Sequence, residues 1–125
     1  MQIKRDTILI SFSRAETRNY IQSRLISSGY TVYQAANGQQ IISKAESFLP
    51  DLILMDISLP DIDALEVTRI IRASNNKIRK IPIIVNALFV ESFYARAQIA
   101  GCNELIRKPL DYELLKVTVS QYLSH

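Results

Sequence analysis

The chain is poor in the residues that build disulfides, linkers and zinc sites. It has one cysteine, one histidine, three glycines, four prolines and no tryptophan among 125 residues. Cys102 has no second cysteine to pair with, so an internal disulfide is excluded and we expect a reducing compartment, the cytoplasm. Glycine and proline are too sparse for a long linker, and no repeat or low-complexity segment interrupts the chain. We therefore expect a single domain over residues 1–125.

Long apolar runs and a large charge excess are also missing. No run approaches the roughly 20 residues of a membrane-spanning helix, and residues 1–6 lack the apolar core of a signal peptide, so membrane and secretory roles are not expected. Fifteen basic against 12 acidic residues give a net charge of +3. The basic cluster of Lys77, Arg79 and Lys80 is small, so we interpret it as a solvated loop and expect no nucleic-acid partner.

The sequence does contain short apolar runs separated by helical patterns. Unbroken apolarity over four or five residues is typical of strands buried on both faces of a parallel sheet. Apolar residues at three- and four-residue spacing predict a helix after each run, and Gly29 and Gly101 fall where the first and fourth helices should end. Five strand and helix units with right-handed crossovers predict an α/β fold, a doubly wound parallel sheet with helices on both faces. The predicted strands are residues 8–10, 30–33, 52–55, 81–85 and 105–106.

Polar side chains follow three of the predicted strands. In such a sheet, reacting groups gather at the carboxyl ends of the strands. Asp56 directly follows the third run, Asn86 the fourth, and Lys108 comes just after the fifth and before Pro109. An acid and a base at neighbouring strand ends can form an ordinary ion pair, and the lysine could also stabilise a phosphoryl group carried on the acid.

In these features the sequence resembles the receiver domain of two-component response regulators. The resemblance covers nearly the whole chain, and the positions of Asp56, Asn86 and Lys108 match the spacing of the family's phosphoacceptor, hydroxyl and lysine residues. It implies a flavodoxin-like (βα)5 fold, a five-stranded parallel sheet with strand order 2-1-3-4-5. The segments that carry it are PDLILMDISLP at 50–60, IPIIVNA at 81–87, AGC at 100–102 and KP at 108–109.

The resemblance implies that Asp56 accepts a phosphoryl group from a phosphohistidine on a sensor histidine kinase or a histidine phosphotransfer protein. An anion then attacks an anion, so charge must be neutralised by a divalent cation and a lysine, here Lys108. In the family, Mg²⁺ is held by two acidic residues after the first strand, by the phosphoacceptor and by a backbone carbonyl that corresponds to Ser58. Such a domain signals through protein contacts, so we expect no enzyme activity beyond self-catalysed phosphoryl transfer and dephosphorylation.

Four positions depart from the family pattern. Phe12 and Ser13 replace the acidic pair, so we expect Mg²⁺ binding to be weak or absent and phosphorylation to be slowed. Ser13 and Glu16 instead match a capping box at the start of the first helix. Asn86 replaces a serine or threonine, and its amide can donate a hydrogen bond in the hydroxyl's place. Leu105 stands where an aromatic switch residue is common.

The segment leading into the fourth helix is rich in aromatic residues. Phe89 and Phe93 are four residues apart, and Tyr94 lies beside them. The apolar arc is wide enough that, with Leu105, we expect part of it to form a contact surface. The resemblance implies output or dimerisation on the face built from the fourth helix, the fifth strand and the fifth helix. Because the sequence ends just after the fifth predicted helix, we expect a downstream protein partner, no DNA-binding domain, and a homodimer as one arrangement.

Two other functions stay open. A pseudo-receiver would keep the fold and bind partners without phosphorylation, so that Asp56→Asn would change little while Phe93→Ala or Tyr94→Ala would abolish binding. A small enzyme or nucleotide-binding protein on the same fold ranks below both, because the first strand–helix turn, residues 12–16, has no glycine to cradle a phosphate.

Overall fold

The computed structural model describes residues 5–123, which form alternating strands and helices. The strands are β1 (Thr7–Ser11), β2 (Thr31–Gln34), β3 (Leu52–Asp56), β4 (Ile83–Ala87) and β5 (Glu104–Arg107). The helices are α1 (Ala15–Ser27), α2 (Gly38–Phe48), α3 (Ala64–Ala73), α4 (Val90–Ala100) and α5 (Tyr112–Tyr122), with a short 3₁₀ helix at Lys77–Lys80 between α3 and β4.

The five strands form one parallel sheet in the order β2-β1-β3-β4-β5. This confirms the doubly wound parallel sheet expected from the apolar runs and the flavodoxin-like strand order implied by the family resemblance. The inner strands are buried along almost their whole length, whereas the edge strands β2 and β5 are only partly buried. An edge strand needs less apolar surface, and the second and fifth runs, YTVY at 30–33 and LI at 105–106, are less apolar or shorter than the inner ones.

Alternate residues of the inner strands face two separate cores. Leu52 and Leu54 of β3 pack with Ile21 and Leu25 of α1 in a cluster that α5 completes. Their neighbours on the strand point the other way, toward α2 and α3. Because the period of a strand is two, Asp56 at the end of β3 shares the α1 and α5 side with Leu54.

Three local features differ from or sharpen the sequence prediction. Gly29 and Gly101 follow the ends of α1 and α4 with φ near +100°, as a left-handed helix terminus requires. The capping box at Ser13 was wrong: α1 is capped by Arg14 without a side-chain hydrogen bond, and Ser13 is exposed one residue too early. With the helix beginning at Ala15, a serine at 13 and a glutamate at 16 cannot form the reciprocal pair.

The fourth strand is shifted along the chain relative to the apolar run. It begins at Ile83, after Pro82, whose carbonyl accepts a hydrogen bond from the Ile53 amide at 2.9 Å. Since proline has no amide hydrogen to give to the ladder, the regular strand starts beyond it. Asn86 therefore lies inside the strand and not after it. Separately, no helix within residues 5–123 is long and apolar enough to cross a membrane.

Candidate functional site

Asp56 and Lys108 meet at the carboxyl edge of the sheet. The Lys108 ammonium lies 2.8 Å from Oδ1 of Asp56, and the Ser58 amide donates to the same oxygen at 2.9 Å. The carboxylate side chain is 15% exposed and the lysine side chain 31% exposed, so the pair is shielded but open to solvent on one side. An anionic oxygen that reaches solvent beside a fixed cation is suited to nucleophilic attack on a phosphoryl group.

Backbone hydrogen bonds extend the sheet around these two residues. The Ile57 amide donates to the Asn86 carbonyl, and the Lys108 amide donates to the Ala87 carbonyl, both at 2.9 Å. The Lys108–Pro109 peptide bond is cis. The ladder thus continues past the ends of β3 and β5 and fixes the two side chains relative to each other.

Asn86 is a neighbour of Asp56 in the sheet, but its side chain is turned elsewhere. The two residues are paired in the β3–β4 register. Asn86 is 2% exposed, and its Nδ2 donates to the Ile106 carbonyl on β5 at 2.9 Å. Among the hydrogen bonds of residues 5–123, none joins Asn86 to Asp56 through their side chains. The sequence pattern predicted Asn86 as a site residue, but it could not show that the amide hydrogen-bonds to the neighbouring strand β5.

The residue that follows β1 is Phe12, and its phenyl ring packs into the core. Phe12 is 2% exposed and belongs to the core under α1 and α5. Its carbonyl accepts a hydrogen bond from Nη1 of the half-buried Arg18, at 3.1 Å. The sequence analysis did not single out Arg18, although the sequence places this arginine one turn into the first helix, close to the carboxyl ends of the strands.

The residues at this edge do not fit Mg²⁺. That ion prefers several hard oxygen ligands in near-octahedral geometry. Of the predicted ligands, only the Asp56 carboxylate and the Ser58 carbonyl are in register, and Asp56 Oδ1 is already bonded to Lys108 and to the Ser58 amide. No group of three or more His, Cys, Asp or Glu side chains that could hold a metal ion occurs in residues 5–123.

The predicted contact surface divides into two grooves on either side of α4. One, of about 570 Å³, runs from the β3–α3 loop to the start of α4 and includes Phe89, Phe93 and Lys108. The other, of about 160 Å³, lies between α4 and β5 and includes Tyr94 and Leu105. The sequence analysis treated the four residues as one surface. Consecutive side chains on a helix point about 100° apart, so Phe93 and Tyr94 lie in different grooves.

Exposure differs among these four residues. Phe89 and Tyr94 are 62% and 54% exposed, while Phe93 and Leu105 are half-buried. Arg96, which the sequence analysis did not single out, places its guanidinium 5.0 Å from the centre of the Phe93 ring. The three-residue spacing on one helix face was the available signal. The groove next to Lys108 therefore combines exposed apolar surface with a cation.

Charged and thiol groups flank the second groove. Glu91 of α4 forms an ion pair with Arg107 of β5, and this hydrogen bond holds the pKa of the Glu91 carboxyl below its usual value. Cys102 lies at the far end of the groove, and its burial raises the pKa of the thiol to about 11. At neutral pH the thiol is thus protonated and unsuited to nucleophilic chemistry.

Comparison with known proteins identifies similar domains. The family model described as the response regulator receiver domain matches residues 12–120. The chain is 36% identical over 97 residues to the polar-differentiation response regulator DivK of Brucella anthropi, covering 77% of this chain and 78% of DivK. It is 34% identical over 117 residues to the CAI-1 autoinducer sensor kinase/phosphatase CqsS of Vibrio cholerae. That match covers 93% of this chain but only 17% of the length of CqsS.

A solved structure shows the same fold. The receiver domain of the sensor histidine kinase PA1611 from Pseudomonas aeruginosa superposes with a TM-score of 0.87 at 30% identity, covering 98% of this chain and 100% of that domain. PA1611 has a magnesium ion coordinated in its active-site cleft.

Proposed function

The chain belongs to the response regulator receiver family, and we propose that its phosphoacceptor is Asp56. Members of this family are domains of two-component signalling and are not classical enzymes. The observation that carries the proposal is the contact between Asp56 Oδ1 and the Lys108 ammonium at 2.8 Å. The two groups lie 52 positions apart in sequence and meet only because β3 and β5 end at the same edge. We further propose that residues 1–125 act as one receiver-like domain, because a single sheet runs through residues 5–123.

The phosphoryl donor we propose is a phosphohistidine on a sensor histidine kinase or a histidine phosphotransfer protein. An oxygen of the ionised Asp56 carboxylate forms the new P–O bond, while the P–N bond of the donor breaks and its electron pair returns to the imidazole. Lys108 offsets the negative charge that builds up between the two anions. The chemistry of this chain is then limited to accepting the phosphoryl group and losing it by hydrolysis.

Output by protein contact completes the proposal. Exposed Phe89 and Tyr94, with half-buried Phe93 and Leu105, supply apolar surface on both sides of α4. Clusters of exposed apolar side chains surrounded by polar residues are typical of protein-binding surfaces. We propose a downstream protein partner for this surface, with a second copy of the chain as another occupant.

The test is intact-mass analysis after incubation with a phosphorylated histidine phosphotransfer protein. We expect addition of one phosphoryl group to the parent chain and none to Asp56→Asn. Asp63→Asn is the matched control, because Asp63 lies in the same groove and caps α3, and asparagine is an equally good cap. Loss of labelling in the Asp63 variant alone, or equal labelling of Asp56→Asn, would contradict the assignment.

A pseudo-receiver is the second candidate, and two observations favour it. Phe12 fills the position at the end of β1 with core packing, and the Asn86 amide is bonded to the Ile106 carbonyl. Under this function the folded chain stays unlabelled by every phosphohistidine donor. Partner binding then survives Asp56→Asn and is lost in Phe93→Ala or Tyr94→Ala.

A further inference from the structure

The larger of the two grooves beside α4 lies at the carboxyl edge of the sheet. Its lining includes residues from the segments that follow β3, β4 and β5, which are neighbours in the sheet. Proteins with a doubly wound sheet bind their ligands at this edge. The volume of the groove, about 570 Å³, is within the range of small-molecule sites.

Most of the side chains that line this groove are apolar. Ile57 and Leu59 of the β3–α3 loop and Phe93 of α4 are half-buried. Leu88 and Phe89, which lead into α4, are 51% and 62% exposed. A non-polar ligand that entered between the loop and the helix would cover this surface and would itself be removed from water, which is the main source of affinity for such a ligand.

The charged residues of the groove differ in whether a partner already holds them. The Lys108 ammonium lies 2.8 Å from Asp56 Oδ1. Asp63 Oδ1 accepts hydrogen bonds from two amides at the start of α3, at 2.7 and 3.1 Å. Arg96 is exposed and forms no ion pair with any residue of 5–123. Its charge is therefore available to a ligand.

The Arg96 guanidinium is positioned by an aromatic ring of the same groove. It lies 5.0 Å from the centre of the Phe93 ring, one turn earlier on α4. Stacking on a ring leaves the donors along the edge of the guanidinium free, and a carboxylate can accept from two of them side by side. The groove thus presents a fixed anion-binding group next to apolar surface.

We propose that this groove binds a small monocarboxylate with an apolar body, such as a medium-chain fatty acid. The carboxylate pairs with Arg96, and the apolar body lies against Ile57 and Phe93. A single negative charge fits better than two, because the carboxylates of Asp63 and the nearby Asp56 repel a dianion more strongly. The proposal does not depend on phosphorylation of the chain, and it leaves the second groove of α4 open to a protein partner.

Sodium octanoate is the probe, added to the full 125-residue chain below its micelle-forming concentration and followed by NMR. We expect saturable shifts of the Ile57, Ser58 and Phe93 amides, with a Kd of about 1 mM or lower. Arg96→Gln should bind about tenfold more weakly, with Arg96→Lys in between, because lysine keeps the charge but not the paired donors. Octanol, which has the same tail without the charge, should bind the parent about tenfold more weakly and be insensitive to Arg96→Gln.

Arg79→Gln is the matched control. Arg79 is also exposed and has no ion pair within the described part of the chain, but it lies in the 3₁₀ helix, outside the groove. We expect this variant to bind octanoate as tightly as the parent does. Equal weakening by the two substitutions would show that octanoate pairs with surface cations in general, and the proposal would fail. Thermal unfolding of each variant shows whether weaker binding comes from loss of structure.

Three other results overturn the proposal: no saturable shift, equal affinity for octanol and octanoate, or shifts confined to the groove between α4 and β5. None of them bears on the role of Asp56, which the labelling experiment tests separately. Asp56→Asn should bind octanoate at least as tightly as the parent, because it removes a negative charge near the groove. The proposed function and this inference can therefore fail independently.

Discussion

At the scale of single residues, polar side chains in this molecule form hydrogen bonds that the sequence pattern could not specify. Asp56 and Lys108 come together as their positions after two strands predicted. Asn86 was expected just after the fourth strand, but β4 extends one residue beyond it, and its buried amide bonds the Ile106 carbonyl. The face on which a side chain lies follows from strand periodicity. Its hydrogen-bond partner depends on the rotamer and on which strand is adjacent, and neither can be deduced from a single sequence.

Cys102 gives a prediction at this scale. Its Sγ donates to the Glu104 carbonyl at 3.0 Å, and burial raises the thiol pKa to about 11, above the ordinary 9.0. The folded state therefore keeps the proton between these values while the unfolded state releases it. The stabilising contribution is complete below pH 9 and falls as pH rises toward 11. We expect Cys102→Ala to flatten this alkaline loss of stability, measured by urea unfolding across pH 8 to about 11.

The same thiol has a kinetic signature. Alkylation by iodoacetamide at pH 8 should be slow in the folded chain and fast in urea, since the thiolate is the nucleophile. Equal alkylation rates in the two conditions would show that Cys102 is not buried and that its pKa is not raised. Tyr122, whose hydrogen bond to Glu104 raises its pKa to about 12, adds to the alkaline decline and is present in both variants.

At the scale of elements, one arginine joins four pieces of chain. Arg72 of α3 donates through Nε to the Gly101 carbonyl at 2.9 Å, through Nη1 to the Arg79 carbonyl at 2.9 Å and through Nη2 to Asn103 Oδ1 at 2.8 Å. Asn103 Oδ1 also accepts from the Ile83 amide at 2.8 Å. The guanidinium thus links α3 to the 3₁₀ helix, the end of α4 and the approach to β5.

Replacing this arginine tests the linkage. Lysine retains the charge but cannot donate in three fixed directions, so we expect Arg72→Lys to lower the free energy of unfolding by about 1–3 kcal/mol. Arg69→Lys on the same helix is the control, because the Arg69 side chain is 60% exposed and, within residues 5–123, pairs with Glu66 alone. For Arg69→Lys we expect the free energy of unfolding to fall by at most about 0.5 kcal/mol. Equal decreases for the two variants in urea unfolding would contradict the role of Arg72 in linking these elements.

α4 itself is held unequally along its length. Its last residue precedes Gly101, whose carbonyl Arg72 binds, while its first turn is capped by Phe89 without a side-chain hydrogen bond. Of its eleven residues, only Ala97 and Ala100 are buried. The sequence predicted an apolar arc wide enough to leave residues exposed, but it could not show that the buried part is confined to the carboxyl end.

At the scale of the whole molecule, the sequence predicted the architecture more completely than the site. The parallel sheet and the positions of the helices follow from apolar runs, spacing and the handedness of crossovers, which act over many residues at once, while the strand order was implied by the family resemblance. The start of α1 and the start of β4 were missed because each depends on one local feature, the unused cap at Ser13 and the missing amide of Pro82. The division of the contact surface into two grooves could not be predicted, because it depends on how α4 is rotated about its axis against the sheet.

The burial of the inner strands makes a prediction for hydrogen exchange. Amides of β3, such as Ile53 and Leu54, lie between strands and beneath helices on both faces, whereas β2 is an edge strand with partly buried residues. We expect β3 amides to exchange about tenfold or more slowly than those of β2 under native conditions. Equal protection of the two strands by NMR would indicate that the sheet opens as one cooperative unit.

The phenyl ring at Phe12 has a consequence for the energy landscape of folding. A cluster of carboxylates at one sheet edge is a locally frustrated arrangement, because like charges oppose the compaction that brings them together. With Phe12 in the core under α1 and α5, that conflict is absent at the end of β1. The strand end then contributes apolar burial to folding, where a cluster of carboxylates would oppose it.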